Sequence, residues 1–156
     1  MITPRPDSPG VLVWPPLLYG LALLAGIALH LLAPLGTLSP WPSRIAGVVL
    51  LGLGVALARW GERAMHRAGT NVHPSQPALA LVEEGPFRFT RNPLYLGLTL
   101  LYIGVALLIP AIWPLILLLP VIAVMHWGVI TREERYLEEK FGHAYRTYRD
   151  RVRRWL

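Results

Sequence analysis

Residues Pro93–Ile130 read PLYLGLTLLYIGVALLIPAIWPLILLLPVIAVMHWGVI and contain no aspartate, glutamate, lysine or arginine. Such a run is typical of a chain that is buried in lipid, because about 20 apolar residues cross the hydrocarbon core of a bilayer. The run is too long for one ordinary span, and Pro110 marks its natural break because proline ends or kinks helices. We therefore predict two membrane helices, at about 93–109 and 111–130, with a further kink at Pro120.

Two more apolar segments precede this run, at about residues 11–33 and 41–62. A cleaved signal peptide is the competing interpretation of the first, but its apolar run is too long and no small-residue cleavage site follows it. The predicted fold class is therefore all-α, an integral-membrane helical bundle of about four transmembrane helices. The helix at 93–109 is short for a full crossing, which leaves a tilted or re-entrant hairpin open. Three glycines of the second segment are expected to let a neighbouring helix approach closely: Gly47, Gly52 and Gly54.

The composition fits a membrane domain. Of the 156 residues, 54% are hydrophobic and 15% are charged, whereas a soluble domain carries about a quarter charged residues. We treat residues 1–156 as one domain. The absence of cysteine excludes disulfides, thiolate nucleophiles and cysteine metal sites. The five histidines show no metal-ligand spacing, so no metal is expected.

The net charge of +6 comes almost entirely from arginine, with Lys140 as the one lysine. Nucleic-acid binding is one interpretation of that bias, but membrane topology explains it better, because positive residues collect on the cytoplasmic side of membrane proteins. The arginines concentrate around the connection at residues 66–92 and in the tail from Arg132. We therefore expect both termini in the cytoplasm, and membrane lipids rather than nucleic acid as partners.

The tail has the pattern of an amphipathic helix on the cytoplasmic side. Its apolar residues recur at helical steps of three and four: Leu137, Phe141, Tyr145, Tyr148, Val152 and Trp155. Gly142 is expected to split the tail into two helices. Such an element either lies on the membrane or closes over a site. The long connection at 66–92 is also expected to be functional, with its apolar middle, Ala78–Val82, on the membrane surface.

The first polar cluster, Gly85–Tyr95, reads GPFRFTRNPLY and adjoins a predicted membrane helix. Pro93 suits the first turn of that helix, where an N–H would be unpaired anyway, and Asn92 is a good N-cap. The exposed N–H groups of a helix start favour anions, and Arg88 and Arg91 can each bind a carboxylate or phosphate through paired hydrogen bonds. An anchor for lipid headgroups explains the same arginines, and both interpretations stay open.

The second polar cluster, Arg132–Leu137, lies just beyond the last predicted span. On a helix, adjacent residues point about 100° apart, so Glu133 and Glu134 cannot both face one ligand atom. One of them is placed to bind a pair of hydroxyls or an ammonium group while the other pairs with an arginine. Taken alone, the pattern is explained better by a salt-bridged helix start, where acidic residues favour the helix dipole.

Taken in order, the two polar clusters and the uncharged hairpin between them resemble the isoprenylcysteine carboxyl methyltransferase family and the related phospholipid N-methyltransferases. The resemblance rests on the segments Gly85–Tyr95, Arg132–Glu134 and Phe141–Tyr148, and it covers residues 66–156. Members of these families are integral-membrane enzymes that use S-adenosylmethionine. The chain resembles the bacterial-type members, so the resemblance implies a location in the bacterial inner membrane and a cofactor site at its cytoplasmic face, formed by about residues 83–156.

The resemblance also implies which residues form the site. Arg91 and Glu134 are predicted to act in catalysis. The predicted cofactor-binding residues are Gly85, Pro86, Arg88, Asn92, Pro93, Tyr95, His126, Glu133, Glu134 and Tyr148. His126 enters this set by its nearness to the second polar cluster, and a hydrogen bond within the bundle is the favoured explanation of it. Asn92 stands where many members have histidine, and because asparagine cannot titrate we expect no general base there.

The expected function is a membrane methyltransferase that moves a methyl group from S-adenosylmethionine to a lipophilic acceptor, such as an isoprenylcysteine-like carboxylate. An ethanolamine-type phospholipid is the alternative acceptor, because the motifs form the cofactor half of the site and do not select the acceptor. A different class of function also stays open, namely a non-catalytic module that binds anionic lipid through its arginine-rich tail. The oligomeric state is left undetermined.

Overall fold

The computed structural model describes residues 7–156, and within them every regular element is helical. The α-helices are, in chain order, α1 (Pro15–Leu32), α2 (Pro40–Arg67), α3 (Pro93–Leu108), α4 (Ile112–Val124), α5 (Thr131–Phe141) and α6 (His143–Arg151). A 3₁₀ turn at Gly85–Arg88 precedes α3, and a π-helical turn at Met125–Ile130 joins α4 to α5. The prediction of an all-α fold is confirmed.

Among the described residues, three helices are long and apolar enough to cross a membrane. They are α1, α2 and the continuous helix Ile112–Phe141, which contains α4, the π turn and α5. Helix α3 is apolar but has 16 residues, fewer than the roughly 20 that a perpendicular crossing needs. A fourth span therefore stays a prediction. Because the charged part of the continuous helix starts at Arg132, we place its membrane-spanning part before Thr131.

Two helix boundaries differ from the prediction for identifiable reasons. Helix α1 starts at Pro15, later than predicted, because the preceding segment bonds to another helix: the Leu12 N–H donates to the Gly128 carbonyl oxygen at 3.2 Å. Helix α2 continues to Arg67, past its predicted end. It stops just before Gly69, whose φ of 69° is a conformation that ends helices and favours glycine.

The last two predicted spans are separated at Pro110, as the sequence predicted. Helix α3 ends at Leu108 and α4 begins at Ile112, on either side of Pro110. Helix α4 runs through Pro120 without ending. The irregular turn of this helix lies further along, at Met125–Ile130.

Helices α2 and α3 approach closely at small residues. A Cβ atom added to Gly54 of α2 would lie 2.9 Å from the Gly97 carbonyl oxygen of α3, and one added to Gly104 of α3 would lie 3.0 Å from the Gly47 carbonyl oxygen. Such close backbone contact is typical of helix pairs in membranes. The predicted role of Gly47 and Gly54 is confirmed, whereas the same prediction for Gly52 is wrong because Gly52 faces open space. The pairing fixes the start of α3, where the first polar cluster lies.

Helix α1 packs on α4, and polar side chains in this region find partners within the bundle. Gly26 of α1 abuts Pro114 at the start of α4. The Tyr102 hydroxyl donates to the Pro114 carbonyl oxygen at 2.8 Å, and the Tyr19 and Thr99 hydroxyls share a hydrogen bond of 2.7 Å. Paired in this way, polar groups are tolerated in an apolar core. They also hold α3 in register with α1 and α4.

Helices α5 and α6 fold the tail back across the start of α3. They separate at Gly142, whose φ of 54° favours glycine, so the predicted split is confirmed. A core of buried residues forms between the tail and the rest of the chain: Ala64, Val82, Phe87, Tyr145, Tyr148 and Val152. Val82 was predicted to lie on the membrane surface; it is buried instead because the tail covers it, while Leu79 stays exposed.

Candidate functional site

A cavity of about 130 Å³ lies where the connection after α2, the start of α3 and helix α5 meet. From the two polar clusters, it is lined by Arg91, Asn92, Tyr95 and Glu133, among others. The remaining lining residues are Pro9, Met65, Asn71, Val72, His73, Pro74, Gln76, Ala78, Leu94, Tyr136 and Leu137. Two clusters that are separated in the sequence by the uncharged hairpin therefore meet at one place.

The π-helical turn Met125–Ile130 sets the direction of the carboxylates that follow it. A π turn holds more residues than an α turn, so one extra residue rotates the rest of the helix by about 100°. The His126 carbonyl oxygen accepts both the Thr131 N–H and, at 2.7 Å, the Thr131 hydroxyl. Glu133 and Glu134 follow directly and point to different partners.

Glu133 lines the cavity and is held by Tyr95. The Tyr95 hydroxyl donates to Glu133 Oε1 at 2.5 Å. Burial raises the pKa of Glu133 to about 7; the hydrogen bond from Tyr95 opposes this shift, and the neighbouring Glu134 carboxylate adds to it. A carboxyl group with a pKa near neutrality attracts a cation when it is ionised and holds a proton when it is neutral.

Glu134 pairs with two arginines. Arg154 donates to it from Nε at 2.9 Å and from Nη2 at 2.5 Å, and Arg91 Nη1 lies 3.2 Å from its Oε1. The two glutamates thus have separate partners, as their angular separation on the helix predicted. Sequence reasoning missed Arg154, because no local pattern links it to a partner 20 residues away.

Arg91 carries a donor without an acceptor among residues 7–156. Its backbone N–H donates to the Arg153 carbonyl oxygen at 2.9 Å, and its Nη1 donates to the Tyr145 hydroxyl at 3.3 Å. Its Nε is buried and has no hydrogen-bond partner within that range. A buried donor left unpaired costs about 1–3 kcal/mol. Arg91 also lines the cavity, which makes this residue the candidate partner for an oxygen of a bound anion or hydroxyl.

Asn92 occupies the N-cap position of α3, but its side chain does not cap the helix. Its Nδ2 donates to the Arg154 carbonyl oxygen at 2.9 Å, and the Thr90 hydroxyl donates to the same oxygen at 3.1 Å. The prediction that the Asn92 side chain caps α3 is therefore wrong. The amide instead donates to a carbonyl oxygen of the tail, which folds back over the start of α3. Pro93 stands in the first turn of α3, as predicted.

His126 lies in the π turn and contacts Arg154 rather than the cavity. Its Nε2 is 2.9 Å from Arg154 Nη1. Because arginine only donates hydrogen bonds, this ring nitrogen is the acceptor. The contact agrees with the favoured interpretation of His126 as a hydrogen-bonded residue of the bundle, and its part in cofactor binding stays a prediction.

Several predicted cofactor residues lie away from the cavity. Gly85 turns the chain at a φ of 61°, and Pro86 is fully buried. The Tyr148 hydroxyl donates to the Phe87 carbonyl oxygen at 2.9 Å, while Arg88 borders a separate surface depression. Gly85, Pro86 and Tyr148 thus shape or hold the segment that leads into α3. A direct role in cofactor binding stays a prediction for each of them.

A segment before α1 borders the cavity on the side of α5. Pro9 lines the cavity, and Asp7 pairs with Lys140 at 2.7 Å and accepts from the Tyr136 hydroxyl at 2.6 Å. The hydrogen bonds from Lys140 and then Tyr136 lower the pKa of the Asp7 carboxyl. The Tyr136 hydroxyl also accepts the Ala78 N–H at 3.1 Å. Sequence reasoning missed Tyr136, whose partners lie 58 and 129 residues away.

A family model matches the part of the chain that carries both polar clusters. The model of the family described as phospholipid methyltransferase matches residues 42–144. An uncharacterized protein of Haemophilus influenzae is 41% identical over 63 residues, which are 40% of this chain and 79% of that protein. No solved structure matches the chain.

Proposed function

Because the chain belongs to the phospholipid methyltransferase family, we propose that it is a membrane enzyme that transfers a methyl group from S-adenosylmethionine to a lipophilic acceptor. The observation that carries the proposal is the cavity at which Arg91 and Tyr95 of the first polar cluster meet Glu133 of the second. A ligand that contacts both polar clusters would explain why the two clusters meet at one cavity.

The chemistry of the cavity fits the amino-acid end of the cofactor. The cofactor's carboxylate is an acceptor for the buried Arg91 Nε, which has no partner among residues 7–156. Its ammonium group, or a ribose hydroxyl, is a donor for the Glu133 carboxylate. Hydrogen bonds between such charged groups are about twice as strong as those between neutral ones.

The size of the cavity limits how the cofactor is held. At about 130 Å³ it is smaller than a typical small-molecule site, which measures roughly 300–1,000 Å³. The cavity therefore receives one end of the cofactor, and the rest requires the displacement of a wall. The walls around Pro9 and His73 are connections rather than helices, and connections move more readily.

The bound cofactor supplies a methyl group on a positively charged sulfur, which is already activated for displacement. The residues of the site then orient the two reactants and exclude water. Tyr95 offers an aromatic ring whose face attracts cations. Arg91 contacts the ligand, and Glu134 acts through Arg91.

We place the site at the cytoplasmic face and the acceptor in the bilayer. The two polar clusters lie on the arginine-rich side of the predicted spans, which the positive-inside rule assigns to the cytoplasm. A lipid acceptor then arrives sideways between the helices, and the cofactor enters from water.

The family favours an ethanolamine-type phospholipid as acceptor, with an isoprenylcysteine-like carboxylate as the alternative. Incubation with S-adenosylmethionine labelled in its methyl group, in vesicles that contain either lipid, decides between them. The lipid that acquires the label is the acceptor.

Calorimetric titration of S-adenosylhomocysteine into the purified protein, in detergent and again in lipid nanodiscs, tests the proposal. Arg91→Ala and Glu133→Gln should each weaken binding by about 10- to 100-fold, because a hydrogen bond to a charged group contributes about 1.5–3 kcal/mol. The matched control is Arg63→Ala, which removes an exposed arginine outside the cavity. Folded wild-type protein that binds nothing in either medium would make a non-catalytic anionic-lipid-binding module the better account.

A further inference from the structure

We propose that Arg154 is a positioning residue of this site: it holds Glu134, and Glu134 in turn keeps Arg91 directed at the cavity. The inference rests on the proposed function, because it concerns affinity for the same ligand. Arg154 does not line the cavity, so its effect passes through other side chains.

The guanidinium of Arg154 holds the Glu134 carboxylate in one orientation. Its Nε donates to Oε1 at 2.9 Å, and its Nη2 donates to Oε2 at 2.5 Å. Two parallel hydrogen bonds fix both the position and the rotation of a carboxylate. A lysine in the same place would supply the charge without this geometry.

The same carboxylate also contacts Arg91. Glu134 Oε1 lies 3.2 Å from Arg91 Nη1, and the two side chains are 14% and 11% exposed. A charged group this buried needs partners. Without Arg154, the carboxylate would turn toward Arg91 and compete with the ligand for the unpaired Nε. Arg154 therefore keeps that donor available.

The backbone of Arg154 contacts the first polar cluster. Its carbonyl oxygen accepts from Asn92 Nδ2 at 2.9 Å and from the Thr90 hydroxyl at 3.1 Å. The carbonyl oxygen of Arg153 accepts the Arg91 N–H at 2.9 Å. These bonds do not involve the Arg154 side chain, so a substitution there leaves the segment anchored. One residue thus joins both clusters, the first through its backbone and the second through its guanidinium.

His126 is the partner of the remaining guanidinium nitrogen of Arg154, Nη1. Arg154 Nη1 lies 2.9 Å from His126 Nε2. Because His126 belongs to the same continuous helix as Glu134, the contact orients Arg154 relative to the carboxylate that it binds. All three nitrogen atoms of the guanidinium have acceptors, which leaves the group little freedom.

Titration of S-adenosylhomocysteine into Arg154→Gln tests the inference. We expect affinity to fall by about 10-fold or more, the effect of losing a hydrogen bond to a charged group. Arg154→Lys keeps the charge but not the paired geometry, and it should recover part of the loss. The matched control is Arg135→Gln, which removes an exposed arginine of α5 and should leave affinity within about two-fold.

A double-mutant cycle with Glu134→Gln separates positioning from a general loss of structure. If Arg154 acts through Glu134, the double variant should bind S-adenosylhomocysteine no more weakly than Glu134→Gln alone. Should Arg154→Gln fail to fold, Arg154→Lys replaces it in the cycle. Additive losses in folded protein, or unchanged affinity of the Arg154 variant, would overturn the role of Arg154 and leave the proposed function intact. Wild-type protein that binds no S-adenosylhomocysteine would overturn both.

Discussion

Glu133 and Glu134 are adjacent, but the helix that carries them directs one to the cavity and the other to two arginines. Glu133 shares a hydrogen bond with Tyr95, and its burial raises its pKa to about 7. Glu134 is paired with Arg154 and Arg91 and is therefore already neutralised. The raised pKa of Glu133 brings its change of charge close to neutral pH.

The affinity for S-adenosylhomocysteine should depend on pH through Glu133. Its pKa is raised from the usual 4.5 to about 7, so below that pH the group is neutral and does not attract an ammonium group. We expect affinity to be highest above pH 7 and to fall by up to about 10-fold per pH unit below it. Calorimetry between about pH 5.5 and 8.5 measures the profile, and Glu133→Gln should flatten it. An equally steep profile in that variant would assign the dependence to another group.

Tyr95→Phe should move the midpoint of this pH profile upward. The hydrogen bond from the Tyr95 hydroxyl lowers the pKa of Glu133, whereas burial raises it. Without that hydrogen bond, the pKa of Glu133 should rise further. Tyr102→Phe is the matched control, because it also removes one hydroxyl, but one that bonds the Pro114 carbonyl oxygen away from the cavity. Midpoints that shift equally in both variants would contradict a specific contact between Tyr95 and Glu133.

At the scale of the elements, the pairing of α2 with α3 holds the first polar cluster in place. The two helices meet through glycines on facing surfaces, so their backbones come within contact distance. In lipid such helix pairs are stabilised by close packing. Burial against another helix stabilises an apolar side chain little, because the lipid that it leaves is equally apolar. The start of α3, with Arg91 and Asn92 just before it, is therefore as rigid as this interface.

Gly54→Ala should destabilise the protein, while Gly52→Ala should not. Both changes replace a glycine within α2, so both gain up to about 1 kcal/mol of helix propensity. A Cβ at Gly54 would lie 2.9 Å from the Gly97 carbonyl oxygen, whereas one at Gly52 meets nothing within 4 Å. Overpacking costs about 1–3 kcal/mol. Thermal unfolding in detergent compares the variants, and equal melting temperatures would mean that α2 and α3 separate more easily than their contacts indicate.

Local chemistry was enough to predict the helices and some of their details. The apolar runs gave the helical segments because burial in lipid requires uninterrupted apolar sequence, and Gly142 marked the split in the tail through its backbone freedom. The contacts of Arg154 and Tyr136 could not be predicted, because they form only when the tail folds back over the start of α3. The π turn at Met125–Ile130 also lacks a signal, since no proline, aspartate, glutamate, lysine or arginine marks it.

At the scale of the whole molecule, distant parts of the chain close the cavity. Pro9 lies before α1, His73 after α2 and Tyr136 in α5, and all three line it. The ring of Trp14 stacks on His73, with centroids 6.1 Å apart. Two of these walls are connections held by a few polar contacts. Such segments open at low free energy, so we expect them to move when a ligand enters.

Asp7→Asn should speed both the binding and the release of S-adenosylhomocysteine. The exposed Asp7 carboxylate holds the segment that contains Pro9 against α5, through Lys140 Nζ at 2.7 Å. Exposed ion pairs contribute little at equilibrium, so both rate constants should rise by about two- to five-fold while Kd changes little. Stopped-flow fluorescence measures these rates. Trp14 is the expected reporter because it stacks on His73, and Trp14→Phe identifies its share of the signal.

Salt dependence distinguishes this restraint from a general effect of charge. Added salt screens an exposed ion pair, so it should speed exchange in the wild type and have little effect in Asp7→Asn. Glu139→Gln removes another exposed carboxylate, from α5, and serves as the control for lost negative charge. If Asp7→Asn exchanges ligand at the wild-type rate, the segment before α1 does not restrain entry. The ligand would then pass the wall at His73, and substitutions there would change the rates instead.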